Sequence, residues 1–283
     1  MGSQLLEALR GVEPRLPAAL DVFDSVVVTG RDDPDFYEHS VRVGDAPGPF
    51  RLTYYFDVHR RGPAVAREAG ARFLRFSADL GIPLPPALGA FVSSDAATRD
   101  EVKQVVLGID APPGGELRAK YYLVFRRSPG STVRELLRSL ALAPAAGADP
   151  DKVVIVGCDA TAAGLDDVKL YFRVEPRKVP AMLDDASEIA GLLTDSHEAV
   201  YQQCTLRPSR RQLYLHARSP ALRQWLGVHG FTEALGRARG IDAHLQGARL
   251  EPRIVSFAYD SRRLALGNAN VYFHLIPTRG KRP

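Results

Sequence analysis

The sequence predicts an α+β fold. Ten antiparallel strands, arranged as five hairpins, close into one β-barrel with α-helices packed around its outside. Three observations carry that prediction. First, one strand pattern recurs five times, at 51–56 (RLTYYF), 120–125 (KYYLVF), 169–174 (KLYFRV), 212–216 (QLYLH) and 270–275 (NVYFHL). Second, each copy forms the return strand of a hairpin, and helical stretches separate the hairpins. The order is ββα, repeated at a spacing of roughly 45–65 residues, and is read as one architecture. Third, side chains two apart share a strand face, and the shared rows here are cations, phenols and imidazoles. Hairpin neighbours are antiparallel, which excludes a parallel βαβ barrel. Closing the sheet removes its edges, and outer helices cover its apolar face. The whole of 1–283 reads as a single domain.

The elements follow in order. Residues 3–10 form a short helix with Leu5, Leu6 and Leu9 on one side and Ser3 as N-cap. The β-branched run at 21–29 (DVFDSVVVT) reads as a strand or a loop edge. Residues 36–43 and 50–58 make the first hairpin across a turn cluster at 44–49 (GDAPGP). Pro63 opens a helix to residue 80, with Val65, Ala69, Phe73, Phe76 and Leu80 at helical spacing, and Gly81 and Pro83 end it. Residues 83–100 read as loop with one helical turn. The second hairpin is 102–110 with 117–127. Ser131 caps a helix over 132–142, and 143–149 is a linker of small residues. The third hairpin, 152–158 with 168–174, turns at Gly164, and a helix follows over 179–193. The fourth, 198–206 with 211–217, turns at Arg207-Pro208-Ser209. A helix opens at Ser219-Pro220 and breaks at Gly230. The last hairpin is 253–260 with 269–276.

Composition narrows the function. Hydrophobic residues make up 45% and charged residues 25% of the 283, as in ordinary globular domains. The net charge of +4, without a basic aromatic cluster, argues against nucleic acid. Cys158 and Cys204 lack CxxC spacing, so neither a disulfide framework nor a zinc site is expected, and a reducing cytoplasm is. No signal peptide is read at the N-terminus, and no apolar run reaches the ~20 residues of a membrane span. Asp32, Asp33 and Asp35 read as a solvated loop rather than a metal site.

A barrel of about ten strands is wide enough to hold a ligand. Converging Lys and Arg repel one another and call for an anion of several charges. Tyrosine adds hydroxyl donors, and its ring face stabilises a cation. Cations for a departing anion, together with aromatic faces for a carbocation, suit transfer of an allylic group from its diphosphate, with water kept out. A carboxylate beside the acceptor would take its proton.

Several stretches resemble the ABBA, or PT-barrel, prenyltransferases, and among them those of cyanobactin biosynthesis. They are Glu38-His39-Ser40 followed by Arg51, residues 105–110 (VVLGID), Lys120 followed by Pro129, and 213–216 (LYLH). The resemblance implies that Glu38 lies beside the acceptor as the base, and that Arg51 and Lys120 bind the diphosphate. The equivalent rows add Tyr122, Lys169, Tyr171, Arg173, Tyr214, His216, Tyr272 and His274 to the expected diphosphate set. It implies Mg2+ held through the diphosphate rather than by a protein metal site, and an isoprene pocket at Gln203 and Cys204. The expected donor is dimethylallyl or geranyl diphosphate, the acceptor a macrocyclic ribosomal peptide, and the chain a monomer. Two alternatives stay open. One is a prenyltransferase of the same fold acting on a small phenol or indole. The other is a non-catalytic barrel that binds an anionic lipid or phosphate ligand.

Overall fold

A computed structural model describes residues 2–12, 17–28, 37–43, 50–112, 115–144, 147–260 and 262–278. Ten strands close one antiparallel barrel: β1 (Tyr37–Val43), β2 (Phe50–Asp57), β3 (Val102–Ala111), β4 (Arg118–Phe125), β5 (Val153–Thr161), β6 (Gly164–Val174), β7 (Ser196–Cys204), β8 (Arg211–Ala217), β9 (Ala248–Asp260) and β10 (Arg263–Pro277). Each strand pairs with its sequence neighbours, and β1 meets β10 to close the ring. The seam runs antiparallel from Glu38↔His274 to Val43↔Ala269. The five expected hairpins and the closed barrel are the fold observed.

Alternation along each strand sorts the side chains. Leu52, Tyr54 and Phe56 of β2 and Tyr121 and Leu123 of β4 point outward and are buried. They meet a coat of helices: α1 (Gly2–Val12), α2 (Pro17–Val22), α3 (Val58–Arg61), α4 (Pro63–Asp79), α5 (Pro86–Ser93), α6 (Gly130–Ser139), α7 (Ala190–Asp195), α8 (Ser219–Val228) and α9 (Thr232–Asp242). Phe73 of α4 lies 5.2 Å from the Tyr121 ring, and Trp225 of α8 lies 5.5 Å from Phe257 of β9. The apolar core is thus a shell between sheet and helices, and the inner rows are left to the lumen.

Four local expectations are corrected. Residues 21–28 are neither strand nor loop: α2 runs into a wide helical turn over Phe23–Val28, and Thr29 lies outside the described residues. The closed barrel offers this β-branched run no edge to pair with. Phe23, Val26, Val27 and Val28 are buried instead, and Arg72 of α4 donates to the carbonyls of Val26 and Val27. Residues 83–100 contain α5 and a 3-10 turn over Asp95–Thr98. Pro86 fits the first helical turn, where its missing N–H costs nothing, and Leu88, Phe91 and Val92 are buried. Residues 179–193 hold 3-10 turns at Pro180–Met182 and Ser187–Ile189 before α7 rather than one continuous helix. Ser131 is not a cap, since α6 begins at Gly130 with Pro129 preceding it. The α8–α9 break falls at Gly230, whose φ of +74° suits a residue without a side chain. The 44–49 turn and the acidic loop at 32–35 lie outside the described residues.

Candidate active site

Lumen-facing side chains form three tiers. Along β6, Lys169, Tyr171 and Arg173 share the inner face, so Lys169 and Arg173 stand about 13 Å apart with the tyrosine between them. A tyrosine stands at the middle of the matching row on β4 (Lys120, Tyr122, Val124), β8 (Gln212, Tyr214, His216) and β10 (Asn270, Tyr272, His274).

The lowest tier is a cradle of buried ions. Lys120, 1% exposed, donates to Asp159 Oδ2 at 2.8 Å and lies 3.3 Å from Asp110 Oδ2. Lys169 donates to the same Asp159 oxygen. Arg51 reaches Asp110 Oδ2 at 3.3 Å and donates to the Tyr272 hydroxyl at 2.9 Å. Burial would raise Asp110, but Arg51 and Lys120 outweigh it and bring the carboxyl down to about 2. Burial pulls Lys120 down to about 8, with Asp159 opposing. Burial also works against the charge on Asp159, yet Lys120 and Lys169 hold it well below the usual carboxylate range.

The middle tier is aromatic. Tyr122, Tyr171, Tyr214 and Tyr272 form a continuous arc, with successive ring centroids 6.2, 5.6 and 5.8 Å apart. Burial holds the hydroxyls of Tyr122, Tyr171 and Tyr214 well above the ordinary phenol value, so they remain protonated donors. Tyr122 donates to Asp159 Oδ1 at 3.1 Å, and Tyr214 to Gln202 Oε1 at 2.7 Å. Gly157 makes room for this arc: a Cβ there would lie 2.1 Å from the Tyr122 ring.

The upper tier carries Glu38, which is buried. Its Oε2 accepts from Tyr55 at 3.2 Å and lies 3.2 Å from His274 Nε2. His216 is at this level, opposite Glu198, and Arg173 donates to Glu198 at 2.7 Å.

Not every expected residue falls where it was expected. Arg51, Lys120 and Lys169 converge in the cradle, with Tyr122, Tyr171, Tyr214 and Tyr272 just above. Arg173, His216 and His274 leave that group: they stand at the opposite end of the same rows, around Glu38 and Glu198. Gln203 pairs with Leu170 and Arg211 on the outer face, so it does not line the lumen. Cys204 does face inward, but opposite Lys169 at cradle level. The carboxylates Asp110 and Asp159 were missed. Their signal was a repeated Gly-x-Asp, at 108–110 and 157–159, on the two strands flanking β4.

No family model matches the chain, and no curated protein matches it by sequence. Solved structures resemble it in fold. A 6-dimethylallyltryptophan synthase from Micromonospora olivasterospora, solved with DMASPP and Trp, superposes with a TM-score of 0.67 at 17% identity over 95% of each chain. The prenyltransferase PriB, solved with L-tryptophan and dimethylallyl thiolodiphosphate, gives 0.61 at 15% identity over 98% of this chain and 95% of its own. The prenyltransferase NotF, solved with brevianamide F and DMSPP, gives 0.60 at 12% over 98% and 93%.

Proposed function

We propose that this chain, which has the ABBA prenyltransferase barrel, transfers an allylic group from its diphosphate to an aromatic carbon or heteroatom of a small acceptor such as an indole. The observation that carries the reading is the stacking of the three tiers along one lumen. The cradle would hold the diphosphate and stabilise the charge that builds on it as the C–O bond breaks. The tyrosine arc would face the allylic cation with π-electrons and keep water from it. Glu38, at the far end, would hold the acceptor and take its proton.

The small-acceptor alternative replaces the macrocyclic peptide as the main reading. The resembling structures were solved with tryptophan or brevianamide F, and none of those described carries a cyanobactin-type acceptor.

Magnesium fits one feature of the cradle. Four cations (Arg51, Arg118, Lys120 and Lys169) face three carboxylates (Asp110, Asp159 and Asp166), leaving a net charge of only +1 for a multiply charged diphosphate. Asp110 Oδ1 is buried and, among the described residues, has no hydrogen-bond partner. That single oxygen would join the diphosphate oxygens as a ligand, consistent with Mg2+ retaining few protein ligands. Bound there, the ion would neutralise charge on the leaving group.

The test is incubation of the protein with L-tryptophan and either dimethylallyl or geranyl diphosphate, with Mg2+ or EDTA. Products are read by mass spectrometry and released diphosphate by a coupled assay. Diphosphate release and a prenylated acceptor are expected, and Glu38→Gln should slow transfer roughly 10²–10⁴-fold. Pyrophosphate binding with no transfer to tryptophan, simple indoles or phenols would favour the non-catalytic barrel.

A further inference from the structure

The acceptor end holds a line of titratable groups that the reading above leaves unused. His274 and Glu38 face each other in register across the β1–β10 seam, so closure of the barrel itself sets their 3.2 Å contact. His216 lies on β8, one strand beyond β9, and both Glu38 and His274 are near enough for their charges to act on its imidazole. Its ring is 6.1 Å from that of His197. Exposure rises along this line: Glu38 is buried, His274 and His216 are half-buried, and His197 is exposed. The other charged groups facing it have partners of their own. Arg173 binds Glu198 at 2.7 Å, and Glu251, opposite His274, sits between Arg249 and Arg253. Tyr55 donates to Glu38 from β2.

We propose that Glu38 and His274 act as one proton-accepting dyad, and that His216 leads the proton from it towards solvent at His197. The inference rests on the transferase reading. In that reaction, π-electrons of the acceptor ring form the new bond to the allylic carbon. The carbon's bond to diphosphate oxygen breaks, and its electron pair leaves with the diphosphate. The alkylated ring carbon then releases its proton, and the C–H electron pair restores aromaticity. Glu38 takes the proton and delivers one from Oε2 to His274 Nε2, in the tautomer that carries hydrogen on Nδ1. The dyad ends as carboxylate and imidazolium, and the imidazolium discharges towards His216. A chamber built to exclude water has no bulk base of its own, so a proton made inside it needs such an exit. His274 acts through Glu38 and is a positioning residue, not one that touches the substrate.

The critical variant is His274→Gln, which keeps a hydrogen bond to Glu38 but cannot hold the proton. With L-tryptophan and dimethylallyl diphosphate, kcat should fall tenfold or more while KM for the donor holds. With ring-deuterated tryptophan, the isotope effect on kcat should rise from near one in the wild type to above two, because proton loss becomes limiting. If the glutamine variant keeps the wild-type kcat and isotope effect, His274 only props Glu38 and the dyad is wrong. A second measurement needs no turnover. In 15N spectra, Glu38→Gln should move the His274 Nε2 resonance and leave that of His229 in place. An unmoved His274 resonance overturns the dyad whatever the activity. Linked resonances in a wild-type protein that transfers nothing would instead sink the transferase reading alone.

Discussion

Lys120 concentrates the chemistry of the site in one side chain. It is buried, yet its ammonium reaches two carboxylates, Asp159 and Asp110. Lys120→Ala removes a preorganised donor and should cost on the order of 3 kcal/mol in the transition state. Both kcat/KM for the donor and affinity for inorganic pyrophosphate should drop. Tyr171→Phe should cost less, because the ring face survives. Burial brings the Lys120 ammonium down to about 8, so it is charged below that value and neutral above it. Pyrophosphate affinity should therefore fall as pH rises through 8, which isothermal titration at pH 7 and 9 would read. A Lys120→Ala protein that binds and reacts like the wild type would remove the cradle from the mechanism.

At the scale of elements, strands β3 and β5 repeat one device on either side of β4. Each presents a glycine and then, two residues on, an aspartate to the lumen. The aspartates hold Lys120, and the glycines clear space beside its strand. A Cβ at Gly108 would come within 2.7 Å of Thr53, and one at Gly157 within 2.1 Å of the Tyr122 ring. Gly157→Ala should thus push Tyr122 out of the arc and break its bond to Asp159. Overpacking of this kind costs about 1–3 kcal/mol, and transfer should slow well beyond what that loss of stability explains. Thermal melts and single-turnover rates at matched temperature separate the two effects. Unchanged rates would mean that the arc does not need Tyr122 in its present seat.

At the scale of the molecule, one buried histidine ties stability to pH. His39 lies on the outer face of β1, beside Phe50, with Nδ1 3.0 Å from the Arg51 carbonyl. Burial lowers its imidazole from 6.5 to about 4. The unfolded chain therefore binds a proton between pH 6.5 and 4 that the folded chain refuses. The stability is complete above 6.5 and is lost as pH falls towards 4, by at most about 3 kcal/mol. Asp110 titrates near 2 and stays out of this window. Denaturant midpoints at pH 7 and 4.5 should differ for the wild type and differ much less for His39→Gln. Equal slopes in the two proteins would place the acid sensitivity elsewhere.

The sequence by itself determined the barrel. Period-two rows of cations and phenols, repeated on five return strands, are a local property of the chain, and hairpin order fixes which strands are neighbours. It also marked Arg51, Lys120, Lys169 and the four tyrosines as lumen residues, because face follows from alternation alone, whereas Glu38 was marked by the family resemblance. Alternation does not say at which end of the lumen a residue sits, or what stands across from it. Those depend on the register of ten paired strands and on the meeting of β1 with β10, more than two hundred residues apart in sequence. Only the tertiary structure, therefore, moved Arg173, His216 and His274 to the Glu38 end. Only it put Asp110 and Asp159 among the lysines. Buried charge must find a counter-charge, and in a closed sheet that partner comes from the neighbouring strand rather than from the same stretch of sequence.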